Sequence, residues 1–191
     1  MLFSTKKTNP GFMEQQLKEI SVKPNKVAFQ AAIVFSLYTL ALVFIFKLLH
    51  IDTQDDHISV PTRIVSMICT YVPFILAILY AQSRHRTELG GYMSFGRGFS
   101  AGFKVAAYSG LFIALLYILY YKVLDRSALD SAVEMALEKA GDDQKAIQGV
   151  NMMKPYLAVF IGFGAAITYT IFGLILSLIG AAILKKDNPA V

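Results

Sequence analysis

Residues 156–184 read YLAVFIGFGAAITYTIFGLILSLIGAAIL, twenty-nine residues without one charged side chain. At 1.5 Å of rise per residue such a helix is about 43 Å long, against roughly 30 Å for the hydrocarbon core of a bilayer. The stretch therefore reads as a membrane span, and three more lie upstream of it. Val27 to Leu49 has Gln30 as its only strongly polar interior residue; Ile64 to Gln82 holds Pro73 near its middle; Phe99 to Tyr121 carries Lys104 near its start. None alternates polar and apolar residues with the period of two that a transmembrane barrel strand needs. The expected fold is all-α: a polytopic membrane protein with four transmembrane helices and an extramembrane helical hairpin between the third and the fourth. A polar tail, residues 1–26, precedes a single transmembrane domain, residues 27–191.

The whole composition agrees with this. Of 191 residues, 55% are hydrophobic and 16% charged, and the mean hydropathy is +0.53. Those values exclude a disordered chain, a collagen-like fibre and a disulfide scaffold, and disfavour an ordinary soluble globule. The one cysteine, Cys69, lies inside the second span, so no intrachain disulfide forms. The first apolar run starts only at Val27, is too long for a signal-peptide core and lacks a small-residue cleavage site, so it reads as a span.

A formal charge of +5 can indicate nucleic acid, but the cations stand where a bilayer would use them. Lys26, Arg84, Arg86, Lys185 and Lys186 flank span ends, where anionic headgroups attract each by about 1 kcal/mol. Four spans put the N-terminus, the loop between spans two and three, and the C-terminus on one side. That side holds eleven of the eighteen lysines and arginines and four of the thirteen carboxylates. By the positive-inside rule both termini are expected in the cytoplasm, with the bilayer as partner and no nucleic acid.

Between the spans, Phe12 to Ile20 reads as either a short interfacial helix or a frayed tail. Ser94 is placed to cap the third span, after the turn signal Gly90-Gly91. Residues 122–155 form the large outer segment. Ser127 to Asp130 resembles a capping box, after which Leu129, Val133 and Leu137 share one helical face. Gly141 ends that helix, and Ile147, Val150 and Met153 make a weaker stripe before Pro155 opens span four. Such a hairpin can rest on lipid, on its own bundle or on a partner.

Helices in lipid associate by close backbone approach, which small residues permit. Gly98, Gly102, Ala106 and Gly110 recur every fourth residue of span three and its lead-in. Gly162, Ala166, Thr170, Gly173, Ser177 and Gly180 recur at steps of three or four in span four. Each row keeps to one helix face. The two rows are expected to meet in an antiparallel pair within the chain; a pairing across a homodimer uses the same code.

Chemistry is sparse. His50, Asp52, Asp55, Asp56 and His57 cluster in the first outer loop, but their spacing matches no metal motif, and a solvated acidic loop is the plainer reading. Lys104 is near enough to its span's end to snorkel. No span carries Asp, Glu or His as a coupled transporter would; Gln30, Thr39, Thr70, Thr168, Tyr169 and Thr170 could line a polar path, but hydroxyls in spans more often bond backbone or neighbouring helices. Nucleophile elbow, phosphate loop and zinc-protease helix are all missing. No enzyme activity, cofactor or metal is expected.

The strings Gly90-Gly91-Tyr92-Met93-Ser94-Phe95, Met152-Met153-Lys154-Pro155, Phe172-Gly173-Leu174-Ile175-Leu176-Ser177-Leu178-Ile179 and Lys185-Lys186, in this order and spacing, resemble the bacterial membrane family called domain of unknown function 4199. The resemblance covers residues 27 to 187. It implies a four-helix protein of the bacterial inner membrane and carries no catalytic residue or activity. The expected function is an accessory or scaffolding subunit, or a small oligomer, that works through contacts. A channel or solute carrier built by oligomerisation is the alternative, and a lipid-directed enzyme using His50 and His57 a third class.

Overall fold

The computed structural model describes residues 23–51 and 58–187. The expected interfacial helix at Phe12 to Ile20 and the Asp52, Asp55, Asp56 and His57 cluster lie outside these residues. Four helices are long and apolar enough to cross a membrane. They are α1 (Asn25–Leu48), α2 (Val60–Glu88), α3 (Phe95–Leu119) and, last in the chain, α6 (Leu157–Leu184). Two short helices, α4 (Arg126–Ala140) and α5 (Gln144–Met153), stand between α3 and α6. Among the described residues there is no strand beyond an isolated bridge, in which Met93 N–H donates to Lys186 O (3.0 Å) and Lys186 N–H to Met93 O (3.1 Å). That bridge ties the chain leaving α6 to the loop before α3. The start of α1 lies at the same end, since Lys104 Nζ donates to Asn25 Oδ1 at 2.7 Å. We refer to this as the terminal end and to the other as the hairpin end.

The helices run past the limits that hydropathy suggested. α2 continues to Glu88 rather than stopping near Gln82, because backbone hydrogen bonding in a helix does not end where apolar side chains do. Pro61 sits in its first turn, where a missing N–H costs nothing. α3 does not end at a loop: Tyr120–Leu124 form one π-helical turn. Nor does α5 stop before span four. Lys154–Tyr156 tighten into a 3₁₀ turn around Pro155, so helical backbone runs from Gln144 to Leu184.

α3 is the central helix and packs on α1, α2 and α6, with the α3–α6 interface the most extensive. The core joins Ala28, Ala31 and Phe35 of α1, Phe74, Ile78 and Ala81 of α2, Val105, Ala106 and Ile113 of α3, and Tyr169 of α6. Outward, large apolar side chains such as Val34, Leu37, Leu76 and Ile171 are exposed along the bundle. Water would penalise such a surface; lipid accepts it.

Candidate functional site: the seam, the Asp125 latch and the hairpin end

The two small-residue rows face each other within one chain. A methyl group added at Gly98 would stand 3.3 Å from Cα of Ala181, and one at Gly102 would stand 2.8 Å from Ser177 Oγ. At Gly110 it would meet the Ala166 carbonyl oxygen and Thr170 Oγ1, both at 2.8 Å; at Gly162, the Ala114 carbonyl oxygen at 2.8 Å. Gly173 packs directly on Ala106. Gly180 turns elsewhere, onto Gln82 and Leu79 of α2. Backbone approach this close is the packing that lipid rewards.

Gln82 fastens the same seam from the side. It is fully buried, and its amide donates to Gly98 O (3.1 Å) and Ser177 O (2.9 Å), so one side chain of α2 holds α3 and α6. Among the described residues its Oε1, both ring nitrogens of the enclosed His85 and the Ser109 hydroxyl have no hydrogen-bond partner, although the Glu88 carboxylate stands 3.8 Å from His85 Nδ1. Sequence reading passed over Gln82 as the last residue of a span; a lone amide at such a point is the available signal.

At the hairpin end the organising residue is Asp125, which sequence reading did not select. The structure corrects the capping box: α4 is capped by Asp125, whose Oδ1 accepts from Ala128 N–H at 3.2 Å, with Ser127 Oγ donating to the same oxygen at 2.6 Å. Ser127 thus serves the cap rather than being it. Oδ2 accepts from Tyr120 OH at 2.7 Å and pairs with Lys47 Nζ of α1. The Lys47 ammonium, helped by the Ser127 hydroxyl, holds the buried carboxyl of Asp125 well below the usual carboxylate range. Ser94 occupies the expected cap position of α3 but makes no side-chain cap bond.

The latch fixes where α4 leaves the bundle. α4 packs on α5 and on the π turn, and Gly141, at φ 53°, ends it in the left-handed region that glycine tolerates. Asp143 then caps α5, accepting from Lys145 N–H and Ala146 N–H. Of the apolar stripe, Val133 is buried, Leu129, Leu137, Ile147 and Val150 are half-buried, and Met153 is exposed. Met152 beside it is 70% exposed.

Of the residues proposed for a polar path, Thr39, Thr70 and Tyr169 come together and the others do not. Thr168 is exposed and bonds its own helix at Gly164 O (2.9 Å), Thr170 packs on Gly110, and Thr39, Thr70 and Tyr169 line one cavity between the helices. Among the described residues no three His, Cys, Asp or Glu side chains form a group that could hold a metal ion.

A four-helix bundle with lipid-compatible outer faces and no catalytic constellation among the described residues defines a multi-pass membrane protein of helical type. The family model described as "Protein of unknown function (DUF4199)" matches residues 30–186, and the chain belongs to that family. No curated protein and no solved structure matches it.

Proposed function

We propose that this protein is a non-enzymatic accessory or scaffolding subunit of the bacterial inner membrane, working through contacts made by its hairpin. The observation that carries this reading is the continuous helical run from Gln144 to Leu184. At about 1.5 Å per residue it extends roughly 60 Å, twice a hydrocarbon core. The charge-free α6 is enough to fill that core, which supports α5, with Lys145 and Lys154, projecting beyond it and carrying α4 alongside. The bias of eleven basic residues toward the terminal end supports cytoplasmic termini and an outward hairpin.

In this reading Met152, Met153 and the half-covered stripe meet the partner, whether another membrane protein or a second copy of this chain. The glycine rows are engaged inside the bundle, which favours the hairpin over the seam as the contact surface. The test is purification from native membranes in mild detergent, with particle mass and co-purifying proteins measured. A stoichiometric partner or a defined oligomer that is lost when Met152 and Met153 become serine supports the reading. A monodisperse, partner-free monomer overturns it.

A further inference from the structure

His85 stands one helical turn past Gln82 on the same side of α2, where the charged stretch Arg84–Glu88 follows the apolar one. Its side chain is wholly enclosed, and neither ring nitrogen has a hydrogen-bond partner among the described residues. A buried neutral imidazole ordinarily donates from one nitrogen and accepts at the other. Three ties on either side of it in the chain hold the end of α2 to the bundle. Gln82 donates to α3 and α6, and Arg86 Nη1 reaches Leu184 O at the end of α6, at 3.5 Å. Beyond α2, the Met93–Lys186 bridge closes the loop.

The charges around this ring are unevenly divided. On α2 itself the Glu88 carboxylate stands 3.8 Å from Nδ1 and is partly open to solvent. Of the other charges on that helix, Arg84 is exposed and Arg86 is turned to Leu184. From α3, both Arg97 and Lys104 act on the ring through space. Among the described residues no charged side chain of α1 or α6 does so. The cations that follow α6 are engaged, Lys185 with Asp187 (2.9 Å) and Lys186 over the ring of Tyr92. Burial disfavours a charged imidazolium, Glu88 favours it in part, and Arg97 and Lys104 oppose it. An imidazolium also brings two N–H donors, and at 3.8 Å the carboxylate is too far to accept either. The place fits a neutral ring.

We propose that His85 is the trigger of a proton-sensitive clasp, by which acid on the terminal side releases the last turn of α2 from α3 and α6. In the closed form the ring is neutral and enclosed. Once the turn moves into water, His85 takes up a proton at the ordinary histidine value near 6.5, and Glu88, three residues on, pairs with it. Above that value neither form binds the proton, and the balance between them is constant. Below it the open form binds the proton first, so opening grows as pH falls. The movement loosens the Gln82 brace and the Met93–Lys186 bridge, so the terminal end changes shape while the hairpin stays on its Asp125 latch. The clasp is independent of the hairpin's partner.

The experiment is amide exchange on the full chain in phosphatidylcholine nanodiscs at pH 7.5 and pH 5.5, corrected for intrinsic rates. Exchange across residues 84–94 should rise roughly three-fold or more on acidification. One proton bound near 6.5 sets a ceiling of about ten-fold over this range. Residues 126–140 should not change. His85→Gln, uncharged at either pH, should abolish the rise, whereas Glu88→Gln should keep or steepen it. Should His85→Gln unfold, exchange of the imidazole C2 proton of His85 in the parent protein decides, with a midpoint expected below 6.5. A rise that survives in folded His85→Gln, a rise lost in Glu88→Gln, an unresponsive parent or a C2 midpoint at or above 6.5 would each overturn the proposal.

Discussion

Tyr38 of α1 donates its hydroxyl to the carbonyl oxygen of Cys69 in α2 at 2.8 Å. Cys69 stands four residues before Pro73, and a proline inside a helix has no N–H for the carbonyl four residues back. The phenol therefore supplies to α2 the hydrogen bond that Pro73 removes. In lipid, where water cannot serve, freed backbone groups need such a partner. The same bond joins α1 to α2.

The Tyr38–Cys69 relation predicts a coupled pair. Tyr38→Phe should destabilise the bundle by about 1 kcal/mol, the usual net worth of one hydrogen bond. In a Pro73→Ala background the Cys69 carbonyl regains a helical donor, so the same substitution should cost close to nothing. Unfolding of the four proteins in detergent gives the coupling energy. Equal losses in both backgrounds would mean that the phenol does not replace the missing N–H.

Two glycines on one helix should respond oppositely. A methyl at Gly162 would stand 2.8 Å from the Ala114 carbonyl oxygen, whereas at Gly164 it would meet nothing within 4 Å. Gly162→Ala should cost about 1–3 kcal/mol through overpacking against backbone. Gly164→Ala should be neutral or stabilise by up to about 1 kcal/mol through helix propensity. Thermal midpoints measured side by side decide this, and a destabilised Gly164→Ala would refute the seam's geometry.

Gln82 should behave as a cross-brace rather than as filler. Gln82→Met keeps its bulk and removes both donated bonds, and about 1–2 kcal/mol should be lost. Ser109→Ala, which deletes a buried hydroxyl without a partner among the described residues, should cost little or even stabilise. Chemical denaturation in micelles measures both; a Met variant as stable as the parent would assign the bond energy elsewhere.

Asp125 gives a pH dependence whose sign is set. Its carboxyl titrates lower in the folded protein than the ordinary value near 3.9. The stabilisation is complete above that ordinary value and is lost as pH falls through the folded one. Hairpin anchoring should be flat from pH 5 to 8 and weaken only below about pH 4. Because Lys47 is half open to solvent, Asp125→Asn should cost about 1.5 kcal/mol at pH 7, the low end for a charged hydrogen bond. Amide exchange across residues 126–140 reports it, and an unchanged rate in the Asn variant would dismiss the latch.

The four spans and the two glycine rows were legible in the sequence because their causes are local. A run too apolar for water is read from the run itself, and a row of small residues marks a helix face by spacing alone. Ser127 was misread for the opposite reason: a capping box and an aspartate two residues earlier look alike until the backbone shows which oxygen reaches Ala128. Asp125 was passed over because its partner Lys47 stands seventy-eight residues away, and nothing in either neighbourhood announces the other.

The chain by itself therefore determined how many helices it forms, which of their faces approach closely and which end bears the positive charge, since each follows from side-chain transfer energies along one dimension. Only the tertiary arrangement decided that Gln82 braces three helices, that Tyr38 completes the helix Pro73 interrupts, and that Tyr71, Tyr117 and Tyr169 line one cavity. Those relations depend on the relative rotation and height of packed helices, and no single helix contains that information.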